Sequence, residues 1–320
     1  MKKQMLLGIL IAIVCLYFAF RGISITGLFH ALRTARLRWI ACALMIYSIG
    51  YILRAFRWRI LMEPIRRCSA GELFAPMIIG FLANNILPFR MGEFIRAHVT
   101  GTKFNVSRTA SLGTILLERL CDTVSFLSTF IAVALIFPFP GVVEKGAAAL
   151  GLLCILVTAS LVIILRHRDR FQEVVEKLRI PQNWKRTIEH LVGNFAQGVS
   201  SLKKARHVAG ALLLSLVIWT IEGSYLYLIA KSLSAPLSYP QAFFLLFFMG
   251  LAVTLPQAPG YIGTLELFGV TALALLGIPK QQALPVILSI HGTQFCFILA
   301  VGMWALYHEG ISLNSLIKRR

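Results

Sequence analysis

Six windows of this sequence, 4–20, 39–62, 110–137, 146–165, 208–231 and 283–307, stay apolar for long enough to cross the hydrocarbon core of a bilayer, which takes about 17 to 25 residues of helix. Two more, 73–87 and 241–255, are shorter, and each stops at a Leu-Pro followed by a turn containing Gly. Backbone at membrane depth must satisfy its own hydrogen bonds, so the long runs are helices and the short ones are broken or re-entrant segments. The expected fold is an all-α polytopic membrane protein, a single transmembrane domain over 1–320 with about six full spans and two re-entrant helices. Composition closes the alternatives. With 58% hydrophobic and 14% charged residues, the chain lies far from the roughly 25% charge of soluble domains. Twelve prolines and six scattered cysteines exclude collagen-like, disordered and disulfide-stapled classes. Residues 1–20 carry two lysines and an apolar run, as a secretory signal does, but no small-x-small cleavage site follows and they read as an uncleaved first span.

The net charge is +19, from 32 Lys and Arg against 13 Asp and Glu. In a membrane protein such an excess belongs in cytoplasmic loops facing the anionic inner leaflet, so membrane lipids are the expected partners and nucleic acid is not. The most basic polar stretch, 166–207, has ten Lys or Arg against four acids and is expected inside the cell. Within it Phe171, Val174, Val175 and Leu178, then Ile188, Leu191, Val192 and Phe195, recur at helical spacing. Amphipathic helices on the inner leaflet and a cytoplasmic hairpin packed on itself explain that spacing equally. The cysteines show no CxxC or Cys/His spacing, so neither a metal nor a cofactor is expected.

Self-similarity organises the rest. Leu87-Pro88-Phe89-Arg90-Met91-Gly92 recurs as Leu255-Pro256-Gln257-Ala258-Pro259-Gly260, an L-P-x-x-x-G match at an offset of 168 residues. The same offset carries 39–62 onto 207–230 and 110–137 onto 278–305, the fifth and last spans. Following the chain outward from a cytoplasmic 166–207 gives every paired element opposite directions. The expected architecture is therefore an inverted repeat with halves 1–137 and 146–308, 166–207 inserted in the second, and both termini cytoplasmic in a multi-pass inner-membrane protein. Inverted repeats with broken helices are how transporters are built, with the substrate site where the breaks meet near the midplane. One loop, 21–38, fits poorly, being expected outside while carrying four arginines.

Charges within the spans mark candidate sites, because an ionisable group at mid-membrane costs about 2.5–3.5 kcal/mol and needs a partner or a wet cavity. Glu118 and Asp122 are four apart on one helix face, with Arg119 about 100° away. They present either a cavity for a lipid headgroup or a structural pair neutralised by Arg54 or Arg57. In the first turn, Asn84, Asn85, Glu93, Arg90 and Arg96 surround Pro88 and Gly92, and the two arginines suit a phosphate or snorkel to the inner headgroups. The second turn holds Pro256, Pro259, Gly260, Gly263 and Glu266. Glu222 falls opposite Arg54 at the 168 offset, where a buried ion pair and a coupling role compete. His291 is an interhelical hydrogen-bond donor or a proton relay. No G-x-S-x-G, G-x-x-x-x-G-K or H-E-x-x-H occurs, so no enzyme is indicated, intramembrane acid catalysis on a lipid aside.

The runs N-N-I-L-P-F-R-M-G-E-F-I-R at 84–96, E-R-L-C-D at 118–122 and P-x-x-P-G-x-x-G-T-x-E at 256–266 resemble the hallmarks of the lysylphosphatidylglycerol synthase transmembrane family. The likeness covers nearly the whole chain. It implies a flippase-like membrane protein and implicates Asn85, Pro88, Arg90, Gly92, Glu93, Arg96, Glu118, Arg119, Asp122, Pro259, Gly260, Gly263 and Glu266. With the sequence ending at Arg320, a soluble aminoacyltransferase is not expected, and only the translocating role is inherited. The expected activity is movement of a phospholipid or polyprenyl-phosphate headgroup between leaflets. The alternative is a non-transporting partner of a lipid synthase or glycosyltransferase, and an oligomer is compatible with either.

Overall fold

A computed structural model describes residues 2–87, 91–135, 193–254 and 258–312, together with positions 152, 156 and 191. The described chain is helical: α1 (Lys2–Phe20), α2 (Ile25–Arg33), α3 (Leu37–Met62), α4 (Ala70–Ile86), α5 (Gly92–Phe104), α6 (Arg108–Ala134), α7 (Ala205–Ser232), α8 (Tyr239–Thr254), α9 (Thr264–Leu275) and α10 (Lys280–His308), with 3-10 turns at Val199–Lys203 and Pro259–Tyr261. The expected fourth span, 146–165, and most of 166–192 lie outside the described residues, as do Pro88, Arg90 and Pro256.

Length separates two kinds of helix. At 1.5 Å per residue, the 26 residues of α3 reach about 39 Å, enough to cross a membrane of about 30 Å, and α7 and α10 are longer. α6 has the length, at 27 residues, but carries Glu118, Arg119 and Asp122 in its middle. α4 and α5, with 17 and 13 residues, are each too short, and they pack on one another as a hairpin. α4 starts on a capping box, in which Ser69 Oγ accepts from the Glu72 N–H and Glu72 accepts from the Ser69 N–H. It ends at Ile86 because Leu87 precedes a proline and is extended (φ −100°, ψ 146°). The hairpin closes at Gly80 and Gly92, where a Cβ on Gly92 would collide with the Gly80 carbonyl oxygen. α8 and α9 form the second short hairpin.

Helix boundaries recur at the sequence offset. Shifted by 168, α3 covers 205–230 against α7 at 205–232, and α4 covers 238–254 against α8 at 239–254. The related helices α3 and α7 run antiparallel along their length. Arg36 N–H donates to the Ser232 carbonyl at one end (2.8 Å), and His207 meets Glu63 at the other (3.2 Å). Midway, Arg54 donates to Glu222 at 2.6 Å across 168 positions. Residues at equal positions of two copies touch only on the axis that relates them, so this pair marks the local twofold.

Two regions differ from the sequence expectation. The arginine-rich loop 21–38 contains α2, set at 83° to α1 after Gly22 (φ +80°) and capped by Ser24. Its exposed Ile25 and Phe29 beside Arg33 suit a helix lying in the headgroup layer. The described end of 166–207 packs on the bundle. Gly198 sits against Ala110 and Gly113 of α6, and Ser201 Oγ donates to the Leu61 carbonyl.

Candidate functional site

Asp122 and Glu118 project from one face of α6 toward α3 and α5, and both are buried. Arg57, fully buried, donates to both carboxylate oxygens of Asp122 and to Ser215 Oγ at 2.6 Å, and lies 3.3 Å from Glu118. Arg96 grips Glu118 bidentately at 3.0 and 2.7 Å. Its guanidinium lies 3.6 Å over the Trp58 ring, whose Nε1–H donates to Thr114 Oγ1. Arg119 donates to Glu118 at 2.6 Å and approaches Asp122 at 3.6 Å. Burial of this kind is tolerated because each charge is paired in a low-dielectric interior, where losing one partner is more costly than losing both.

Arg57 is thus the neutralising arginine, whereas Arg54 serves Glu222. The acids Glu118 and Asp122 are committed to guanidiniums, so neither is free to receive an amine. The exposed member is Arg119, whose side chain is 34% accessible. It faces a cleft shared with Asn84, Glu93 and Arg96 between α4, α5 and α6, of about 10 Å³, room for about one water molecule. Asn84 Oδ1 accepts from the Gly92 N–H (2.7 Å) and its amide donates to Glu93 (3.3 Å), which ties the turn to the cleft.

Three buried arginines (54, 57 and 96) and the partly exposed Arg119 face three buried acids (118, 122 and 222). The half-buried Glu93 at the cleft is the remaining balancing charge. The Nε–H groups of all four arginines find no acceptor among the described residues, so the network is not a saturated structural unit.

The remaining candidates form a second group. Glu266, placed by sequence with the headgroup binders, instead caps α9. One carboxylate oxygen accepts from the Gly263 N–H (2.6 Å) and the other lies 2.5 Å from His291 Nδ1. His291 Nε2 meets the Gly260 carbonyl at 2.7 Å, and since a carbonyl only accepts, this nitrogen carries a hydrogen. His291 therefore ties α10 to the second turn. That turn begins at Pro259, takes positive φ at Gly260 (+72°) and Gly263 (+88°), and at Gly263 passes so close to Ala12 of α1 that no side chain fits. Asn85 faces this group, on the far side of Asn84. Sequence reasoning passed over Trp58, Ser215, Tyr47, Tyr51 and Gln294, because aromatic and hydroxyl residues in apolar runs default to core. The 168 offset was the signal that located Arg54 opposite Glu222.

A family model described as the lysylphosphatidylglycerol synthase TM region matches residues 5–302. Among curated relatives, a UPF0104 membrane protein of Methanothermobacter thermautotrophicus is 23% identical, over 82% of this chain and 81% of that protein. A UPF0104 membrane protein of Pyrococcus horikoshii is 20% identical over 89% and 91%. Glycosyltransferase AglD of Haloferax volcanii is 22% identical over 97% of this chain, a match that spans 55% of AglD. The chain belongs to the lysylphosphatidylglycerol synthase transmembrane family.

Proposed function

We propose that this chain, as a member of that family, moves the polar head of an anionic lipid between leaflets while the acyl chains stay in the bilayer, and makes or breaks no bond in it. The observation that carries the reading is Arg119: a guanidinium held in mid-helix by Glu118 and Asp122, yet one-third accessible at a cleft where Glu93 is the competing anion. A phosphate displacing Glu93 would gain charge-assisted hydrogen bonds in a low-dielectric site. The cleft is too small for a headgroup as it stands, so loading moves the α4–α5 tip away from α6. That hairpin enters and leaves from one end of the bundle, at which Lys103 pairs with Glu309 and Arg66 holds the Phe104 carbonyl. This end, which also gathers Arg67, Arg108 and Lys204, is on this reading the cytoplasmic one by the positive-inside rule, and the start of α1 and the end of α10 lie on it.

The test is reconstitution into liposomes carrying a fluorescent anionic lipid, with leaflet-specific quenching. The expected result is exchange that Arg119→Gln slows and that Lys204→Gln does not; exchange indifferent to Arg119→Gln removes this site. A second reading rests on the AglD match: a membrane partner that presents lipid to a glycosyltransferase without translocating it. Co-purification with such an enzyme, and no exchange by the pure protein, favours it.

A further inference from the structure

Asn84 is a partition. On one side lies the charged cleft at Arg119. On the other, between α3, α4, α9 and α10, is a cavity of about 130 Å³, space for about four water molecules. Asn85 reaches it from the tip of α4 and Gln294 from the middle of α10, so it sits at the depth where the two hairpin tips meet.

Its walls have a particular chemistry. The primary amides of the half-buried Asn85 and Gln294 make no hydrogen bond to any described residue, although each lines the cavity at mid-membrane, where an amide needs a partner or water. Tyr47 and Tyr51 add aromatic faces and share one hydroxyl–hydroxyl contact of 3.2 Å, which leaves hydrogen-bonding capacity on both. The lining imidazole, His291, is already held by Glu266 and the Gly260 carbonyl. Among its described lining residues the cavity therefore offers no free carboxylate for an ammonium group and no free guanidinium for a second phosphate. Amides that both donate and accept, set among aromatic rings, match hydroxyl groups, which do the same.

We propose that this cavity receives the uncharged, hydroxyl-rich part of the lipid head, a polyol or a sugar, while its phosphate sits at Arg119. The inference rests on the translocation reading and specifies its substrate class. Such a head is carried by polyol phospholipids and by prenyl-phosphate sugars, and the test separates them.

Binding to the purified full chain is measured with two pairs of short-chain probes: dioctanoyl phosphatidylglycerol against dioctanoyl phosphatidic acid, and a short prenyl phosphate with and without one hexose. In at least one pair the hydroxyl-bearing probe is expected to bind about tenfold tighter, the worth of one or two hydrogen bonds, and that pair names the source. Asn85→Leu with Gln294→Leu is expected to abolish the difference and leave the bare phosphates unaffected. Arg119→Gln is expected to weaken all the probes alike. Equal binding within both pairs by the unaltered protein, a comparison independent of any variant, overturns the proposal, as does a difference that survives the double substitution; the cavity then holds water only. If Arg119→Gln still weakens the phosphates, the translocation reading survives that failure. Indifference of every probe to Arg119→Gln removes both.

Discussion

The two repeats make the same helix crossing with different chemistry. In the first, Arg57 of α3 donates to Asp122 of α6; at the equivalent positions in the second, Tyr225 OH donates to the Ile290 carbonyl at 2.9 Å. Glu118 and Arg119 likewise correspond to Val286 and Ile287, and Arg96 to Thr264. A phenol on a backbone oxygen joins α7 to α10, so the architecture does not require ions at this crossing, which fits the proposed binding role of the ions in the first repeat. The cavity reverses the contrast. Tyr51, Gln294 and Ile298 beside it correspond to Trp219, Phe126 and Phe130, which with Phe247 close the related space with rings 4.3–5.6 Å apart. Gly250 makes room for Phe126, whose ring lies 2.9 Å from where a Cβ would stand. One symmetry-related space is hollow and carries amides, and the other is filled by aromatic rings.

Six variants press on that comparison. Arg57→Met strands Asp122 and is expected to cost about 3–5 kcal/mol in denaturant unfolding in micelles. Arg57→Tyr with Asp122→Ile, which copies the second repeat, should recover most of that loss while lipid exchange falls; a double variant as unstable as the single one would mean that the ions are structural after all. Gly92→Ala should cost about 1–3 kcal/mol by collision with the Gly80 carbonyl. Its counterpart Gly260→Ala acts instead through φ +72°, at a smaller cost of about 1 kcal/mol, and equal losses would erase the distinction between the two tips. Arg119→Gln should change stability by less than about 1 kcal/mol, since its guanidinium is partly exposed, and slow exchange of an anionic lipid about tenfold. Gln294→Phe, which imports Phe126 into the hollow side, should leave stability within about 1 kcal/mol and remove discrimination between headgroups; retained discrimination would place the selective contacts elsewhere.

Much of this was legible beforehand for physical reasons. Spans 39–62, 208–231 and 283–307 appear as helices because a long apolar run has no other stable form in lipid, and 73–87 breaks where Pro88 removes a donor. Arg54 and Glu222 could be paired because a duplication brings equal positions together at its axis. The helices α2 and α5 carry no span signal because they are short and of mixed polarity, and α9 carries none because, though apolar, it has only 12 residues. Glu266 was assigned to headgroup binding, although its position three residues after Gly263 already fitted a cap.

Amino-acid order alone determined the membrane class, the 168-residue duplication and which charges lie at depth, because hydrophobic run length, proline and self-similarity are local quantities. Tertiary structure decided which charges neutralise one another, that Arg119 keeps an open face, and that Asn85 and Gln294 meet across a hollow. Those outcomes depend on contacts between helices tens to hundreds of residues apart, whose rotation about their own axes is set by packing and not by any pattern within them.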